Sequence, residues 1–322
     1  MTAILVTGAA GPLARLVAEA LVDHPALDGA ELLGADVRPM PPGTSFPGPF
    51  YQAYYTQRKI DDVFRRHRPD VVVHLGRIRG TELESFQRRF TQNVLGTRNL
   101  LEQALRHGAR RVVVLSTYHV YGAHQHNHVH IGEDEPLRAS QIFPELADAV
   151  ELDHAAAAFL WRHRKVETVV LRPCNIVGPS LNNMISRLLR SGRRVPTLLG
   201  YDPVMQFLHE ADAARAIAEA VAKDRAWGVY NVAGEGVVPW SHAIRLAGAE
   251  PLPVPHVLAY PLVGMLARWR LVFPKHLMDY FRYPTVIDDD AFRADFRFAP
   301  ALSAVKTLRS VRGRLRAHEE AP

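Results

Sequence analysis

The sequence predicts an α/β fold, a doubly wound parallel sheet carrying a smaller C-terminal lobe. Three observations predict it. The apolar run Ala3-Ile4-Leu5-Val6 passes directly into a glycine turn, Thr7 to Ala14, and then into an amphipathic stretch. Short apolar strands alternate with helical periodicity along most of the chain. An acidic residue, Asp36, closes the second of those strands.

Taken in order, the first strand and turn read as the opening of a dinucleotide-binding βαβ unit. Gly8 lets the chain turn tightly, and Gly11 removes a Cβ that would block a pyrophosphate. The N–H groups that open the next helix then face that anion. Ala14 stands where a third glycine is usual and is small enough to keep helix and strand close. Leu13 to Val22 forms the first helix, with Leu13, Leu16, Val17, Ala20 and Leu21 on one face. Glu31 to Asp36 is the second strand. Asp36 falls where a carboxylate accepts from the ribose hydroxyls, which favours NAD; Arg38, two residues on, keeps NADP open.

Five prolines and two glycines between Pro39 and Pro49 make a loop. Ile60 to Arg66 reads as a helix and Asp70 to Leu75 as a fully buried strand. Leu83, Phe86, Phe90, Val94, Leu101 and Ala104 recur at helical spacing and predict one long helix ended by Gly108. Arg111 to Leu115, Thr168 to Leu171 and Val229 to Val232 continue the parallel strands. A return strand near Gln206 to Leu208 interrupts the C-terminal third. Pro251 to Pro255 reads as a linker, and Asp288 to Phe298 as a closing helix without chemistry.

The chain has 322 residues, room for one large domain and a smaller one. Its net charge is +6, from five lysines and 34 scattered arginines among the basic residues, with no basic stripe interleaved with aromatics. Nucleic acid is therefore not an expected partner. A single cysteine, Cys174, leaves no internal disulfide and suits a reducing, cytoplasmic setting. Val257 to Phe273 is apolar, but Arg268 and Arg270 interrupt it, so a docked helix is expected rather than a membrane span.

Seven stretches together carry a resemblance. They are the glycine turn, Arg68 to Leu75, Asn93 to Leu100, Ser116-Thr117-Tyr118-His119-Val120-Tyr121-Gly122, Leu171 to Pro179, Phe207 to Asp212 and Val229 to Gly234. In order and spacing they resemble the extended short-chain dehydrogenase/reductase family, in its nucleotide-sugar epimerase/dehydratase branch. The resemblance implies a Rossmann-type sheet, with residues 1–175 as the NAD(P) domain rejoined by about 204–233, and 176–322 mainly a substrate lobe. It implies a dinucleotide held by Gly8, Gly11, Pro12 and Leu13, by Asp36, Val37 and Arg38, and by Leu75 and Gly76 passing under it. Asn93 would lie beside it, Leu115 and Ser116 at the next strand end, and Pro173 to Asn175 over the nicotinamide. Thr117 matches the family's catalytic Ser/Thr.

Two departures stand out. The Asp that usually follows the third strand is absent, with Ala53 and Tyr54 near its place. The Tyr-x-x-x-Lys pair is missing as well: no Tyr or Lys occurs between Gly122 and Arg164. The best registration puts Glu145 at the tyrosine and Ala149 at the lysine. Glu145 is a candidate substitute acid/base and, equally, an ordinary first-turn helix residue. The literal match Tyr55 to Lys59 lies on the adenine side and reads as a loop-to-helix junction. Tyr118 and Tyr121 bring phenols near Thr117, though the family uses the place of Tyr121 for packing. Asp148, Glu151 and Asp153 read as a solvated helix face.

His124, His126, His128 and His130 would share one face of an extended segment about 7 Å apart. Their place in a variable loop favours a mobile polar loop over a metal site, and no metal is expected. The apolar, aromatic C-terminal lobe is consistent with a lipid-like, steroid-like or acyl ligand as well as with ordinary packing or a dimer surface. Two functional expectations follow. One is a protein that binds NAD(P) or a small ligand without Tyr/Lys catalysis, with a homodimer compatible. The other is an active NAD-dependent oxidoreductase, epimerase or dehydratase on a nucleotide-sugar or an apolar hydroxy/keto substrate, using altered proton chemistry.

Overall fold

The computed structural model of the chain describes residues 2–78, 85–255 and 275–313. Seven parallel strands form its centre: β1 (Ala3–Thr7), β2 (Glu31–Asp36), β3 (Phe50–Gln52), β4 (Val71–His74), β5 (Arg111–Leu115), β6 (Glu167–Pro173) and, after four short strands, β11 (Gly228–Val232). Their order is β3-β2-β1-β4-β5-β6-β11. The order reverses between β1 and β4, the crevice where such sheets bind ligands.

Alternation along each strand divides the core in two. Ile4, Val6, Val71, Val73, Val113 and Val169 face α1 (Pro12–Val22) and α8 (Glu210–Ala222) through Leu13, Val17, Leu21, Ile217 and Val221. Leu5, Val72, Val112, Val114 and Val170 face the opposite layer. There α2 (Arg58–His67), α4 (Gly96–Arg106) and α6 (Ala147–Arg162) contribute Ile60, Phe64, Leu100, Leu101, Leu152 and Phe159. A strand buried on both faces has no polar side to display, which is why these strands read as continuous Val/Leu runs.

The long helix expected from Leu83 to Ala104 forms as unbroken helical backbone from Phe86 to Arg106 with a π turn inside it; Leu83 itself lies outside the described residues. Ser85 caps a short α3 (Phe86–Phe90), its hydroxyl accepting from Arg88 N, and a π turn at Thr91–Leu95 separates α3 from α4. A π turn inserts one residue while leaving the backbone helical on both sides, so apolar spacing over so short a stretch still reads as one helix.

A third cluster lies beyond Val177, where Ile185, Leu189, Val195, Phe207, Trp240, Ile244 and Leu308 pack together. Its elements include α7 (Met184–Arg190), α9 (Trp240–Leu246) and the helix Ala304–Ser310, with β8 (Arg194–Leu199) and β13 (Glu250–Pro255). The expected linker at Pro251 to Pro255 is thus a strand, paired parallel with β8 over six residues. Its prolines occupy alternate positions, 251, 253 and 255. Glu250 N–H donates to Arg193 O at 2.8 Å, so the even-numbered residues face β8 and the prolines face away. A strand of period two tolerates proline on that side.

Among the described residues no helix is long and apolar enough to cross a membrane. The apolar stretch 257–273 lies outside the described residues.

Candidate functional site

The site is built on the turns that follow β1, β2, β4 and β5. Gly8 has φ +75, and a Cβ there would lie 2.7 Å from Gly76 N, so the glycine turn rests flush on the segment after β4. Gly11 caps α1 in an extended conformation, with no side-chain cap on the helix and Pro12 in its first turn. The N–H groups beginning at Leu13 therefore present the positive end of an uncapped macrodipole. Asp36, 2% exposed, ties the second strand to this turn. It accepts from Ala10 N at 3.0 Å and from Arg38 N at 2.8 Å, with the Arg38 guanidinium 3.4 Å away. Val37 packs partly buried against the layer of α2 and α4.

A buried polar chain runs from this turn toward α6. His74 Nδ1 is 2.6 Å from Thr7 Oγ1, and Nε2 is 2.8 Å from Thr97 Oγ1. Thr97 donates its own proton to Asn93 O. The arrangement selects the neutral Nε2–H tautomer, with Thr7 donating to Nδ1. Burial holds the His74 pKa down to about 4. The π turn carries Asn93, whose amide exchanges two hydrogen bonds with the Ile78 backbone, at 2.7 and 2.8 Å, and also donates to Asp148. Leu75 and Gly76 are thereby held between two anchored points.

At the end of β5, half-buried Leu115 leads into Ser116, whose hydroxyl donates to Asp153 Oδ2 at 2.5 Å. Arg172 grips the same carboxylate at 2.9 and 2.7 Å and reaches Tyr121 Oη at 2.9 Å. Burial works against the Arg172 charge, but Asp153 and Tyr121 favour it more, and its pKa ends above the ordinary value. The solvated face expected at Asp148 and Asp153 is therefore corrected. Both are buried because each finds a partner across from α6, Asn93 on the π turn and Arg172 on β6. Glu151 alone is partly solvated, 3.9 Å from Arg98.

Asp153 fixes the face of α6 that lies beneath Ser116. Position 149 precedes it by one helical turn on that face, while position 145 falls before the start of α6. Ala149 is buried; Glu145 is exposed in the turn Pro144–Leu146, and Arg89 donates to its carbonyl at 3.1 Å.

Thr117 caps the short turn Tyr118–Tyr121, and its Oγ1 is 2.9 Å from His119 Nδ1. Nothing in the sequence singled out His119; a residue two places from a candidate hydroxyl and held by a tight turn is the one available signal. Its ring packs between Tyr118 and Tyr280, at 4.2 and 4.7 Å, and Tyr280 Oη donates to its carbonyl. Tyr118 Oη donates to Asn175 Oδ1 at 2.9 Å, and burial raises its pKa. Burial pushes Tyr121 up to about 12 despite Arg172. Pro173 ends β6, and Cys174 N donates to Val232 O.

The histidine loop does not form the extended strand that would align its four rings. A turn closes with Asn127 N on His124 O; His124 and His126 lie 5.1 Å apart, while His128 meets Glu135 at 2.7 Å. Among the described residues no group of three His, Cys, Asp or Glu converges as metal ligands. Tyr55 lies buried beneath the glycine turn, with Lys59 exposed on α2.

The profile of the NAD dependent epimerase/dehydratase family matches residues 4–233. The chain belongs to that family. An uncharacterized protein of Mycobacterium tuberculosis is 32% identical over 220 residues, which are 67% of this chain and 57% of that protein. The chain thus spans little more than half the length of that relative. A dTDP-glucose 4,6-dehydratase of Streptomyces griseus is 37% identical over 167 residues, 49% of each chain. Among solved structures, dTDP-glucose 4,6-dehydratase from Bacillus anthracis in complex with NAD superposes with TM-score 0.76 at 18% identity, over 99% of this chain and 98% of that one. UDP-glucose 4-epimerase from Thermotoga maritima with UDP-glucose gives 0.75 at 19%, over 96% and 97%. At such identities the likeness concerns the fold. The NAD dependent epimerase/dehydratase match runs from 4 to 233, so it covers the seven-stranded sheet from Ile4 onward and both turns that meet at Gly8 and Gly76.

Proposed function

We propose that this chain is an NAD-binding member of its family that holds the dinucleotide and a small-molecule ligand without Tyr/Lys proton chemistry. The observation that supports the proposal is the α6 face fixed by Asp153, where the buried Ala149, the residue that the sequence registration aligns with the lysine, brings no charge. The cradle fits the dinucleotide, because a Cβ at Gly8 would collide with Gly76 and α1 has no side-chain cap. Gly8, Gly11, Pro12 and Leu13 would hold the pyrophosphate, and Asp36 with Val37 and Arg38 the ribose. Leu75, Gly76, Asn93, Leu115, Pro173 and Asn175 would line the rest. Ser116, with its hydroxyl on Asp153, would act through its backbone. When bound, the dinucleotide supplies a ring able to accept or give a hydride.

Asp36 supports NAD over NADP, since a 2′-phosphate would meet its carboxylate. The names of the relatives support a nucleotide-sugar ligand, and the aromatic C-terminal lobe supports an apolar hydroxy or keto compound. A homodimer stays within the proposal and is tested by sedimentation. One observation favours a second reading, an active oxidoreductase, epimerase or dehydratase. Thr117 Oγ1 lies 2.9 Å from the His119 imidazole, within reach of proton exchange.

Calorimetric titration of the purified chain with NAD and NADP tests the main reading. Binding of NAD is expected, and binding of neither refutes it. Turnover of reduced cofactor over an alcohol, ketone and nucleotide-sugar panel, with Thr117→Val and Glu145→Gln as controls, separates the two readings. Turnover abolished by Thr117→Val favours the enzyme.

A further inference from the structure

The family's acid after β3 is missing, and a different side chain reaches into the cradle from the same segment. Tyr55 is 2% exposed. Its Oη accepts from Gly8 N at 2.9 Å, and its ring meets His74 edge-on at 5.6 Å. A Cβ at Gly76 would lie 2.2 Å from Oη, so the phenol sits directly against that glycine. The Tyr55 backbone is held as well, because Asn99 on α4 donates to its carbonyl at 2.7 Å. Three segments meet on this one residue: the turn after β1, the turn after β4, and the helix following the π turn.

We infer that Tyr55 is a positioning residue for the dinucleotide, holding the glycine turn at the height set by Gly76 so that the turn meets the pyrophosphate. The inference rests on the NAD-binding reading above. Without an acceptor at Oη, the Gly8 amide is buried with no partner, and the turn relaxes to find one. Without the ring, the turns after β1 and β4 lose the wedge between them. Burial and the neighbouring Asp36 raise the phenol's pKa, so Tyr55 stays neutral and acts by shape and hydrogen bonding.

The test uses the full chain and two variants, Tyr55→Phe and Asn99→Ser. The first keeps the ring and removes the acceptor; the second keeps the phenol and releases its backbone. NAD affinity is measured by calorimetry, the thermal midpoint by circular dichroism, and Gly8 amide exchange by NMR without ligand. Tyr55→Phe is expected to bind NAD about tenfold more weakly, the size of one buried N–H left unsatisfied. Its Gly8 amide should exchange faster while the midpoint stays within a few degrees. Asn99→Ser should weaken NAD in the same direction. A Tyr55→Phe variant that binds NAD as tightly as the unaltered chain, whatever its midpoint, overturns the inference, since a merely structural role moves stability and not affinity. Absence of NAD binding by the unaltered chain overturns the functional reading and this role with it, while Gly8 exchange separately reports whether Tyr55 holds the turn.

Discussion

Replacing Asp153 with alanine removes the carboxylate on which the base of the site converges. The Arg172 side chain is 5% exposed and Asp153 is fully buried, so water does not take the place of the lost charge. Arg172 would keep Tyr121 Oη and the Glu133 carbonyl, both neutral, and lose its two contacts at 2.9 and 2.7 Å. Ser116 would lose its acceptor. Leaving one partner of a buried ion pair uncompensated costs about 3–5 kcal/mol. In a chain of this size that lowers the thermal midpoint by roughly 4–7 °C. Urea unfolding of Asp153→Ala against the unaltered chain measures it. The pair Asp153→Leu with Arg172→Met should recover most of the loss, since an apolar replacement of both partners is often neutral. A loss below about 1 kcal/mol for Asp153→Ala would refute the reasoning.

Gly8→Ala forces a Cβ into φ +75 and against Gly76 N. It should cost about 2–5 kcal/mol, divided between stability and NAD affinity, as calorimetry and melting together would show. His74 titrates at about 4 in the folded chain against 6.5 unfolded, so the unfolded chain binds more protons between those values. Stability should therefore fall by up to about 3 kcal/mol as pH drops from 6.5 to 4, and His74→Gln should flatten that slope in urea titrations at several pH values. If turnover is found, Thr117→Val should lower it about 10²–10⁴-fold with little change in NAD affinity, measured by steady-state rates and calorimetry.

The sheet was legible because β1, β4, β5 and β6 are buried on both faces and carry almost unbroken Val/Leu runs. The glycine turn was legible because Gly8 and Gly11 follow a buried strand and six downstream stretches of the resemblance stand behind them. Other features were hidden for identifiable reasons. Asp148 and Asp153 are charged residues on a helix, and only the distant Asn93 and Arg172 explain their burial. The π turn at Asn93 is too short to stop the apolar spacing from reading as one helix. Tyr55 looked like a junction residue because its partners, Gly8 and Gly76, lie 47 and 21 positions away in the chain. His119 acquires meaning only from the tight turn that swings its ring back onto Thr117.

The alternating prolines of β13 have a consequence for the whole molecule. Every backbone N–H of that strand that would point outward, at positions 251, 253 and 255, is missing, while the carbonyls remain. Along that edge of β13 the backbone can accept hydrogen bonds but cannot offer them. A strand from another copy that came alongside would find half of a ladder. Among the described residues, this edge thus discourages strand-to-strand pairing between molecules through its prolines.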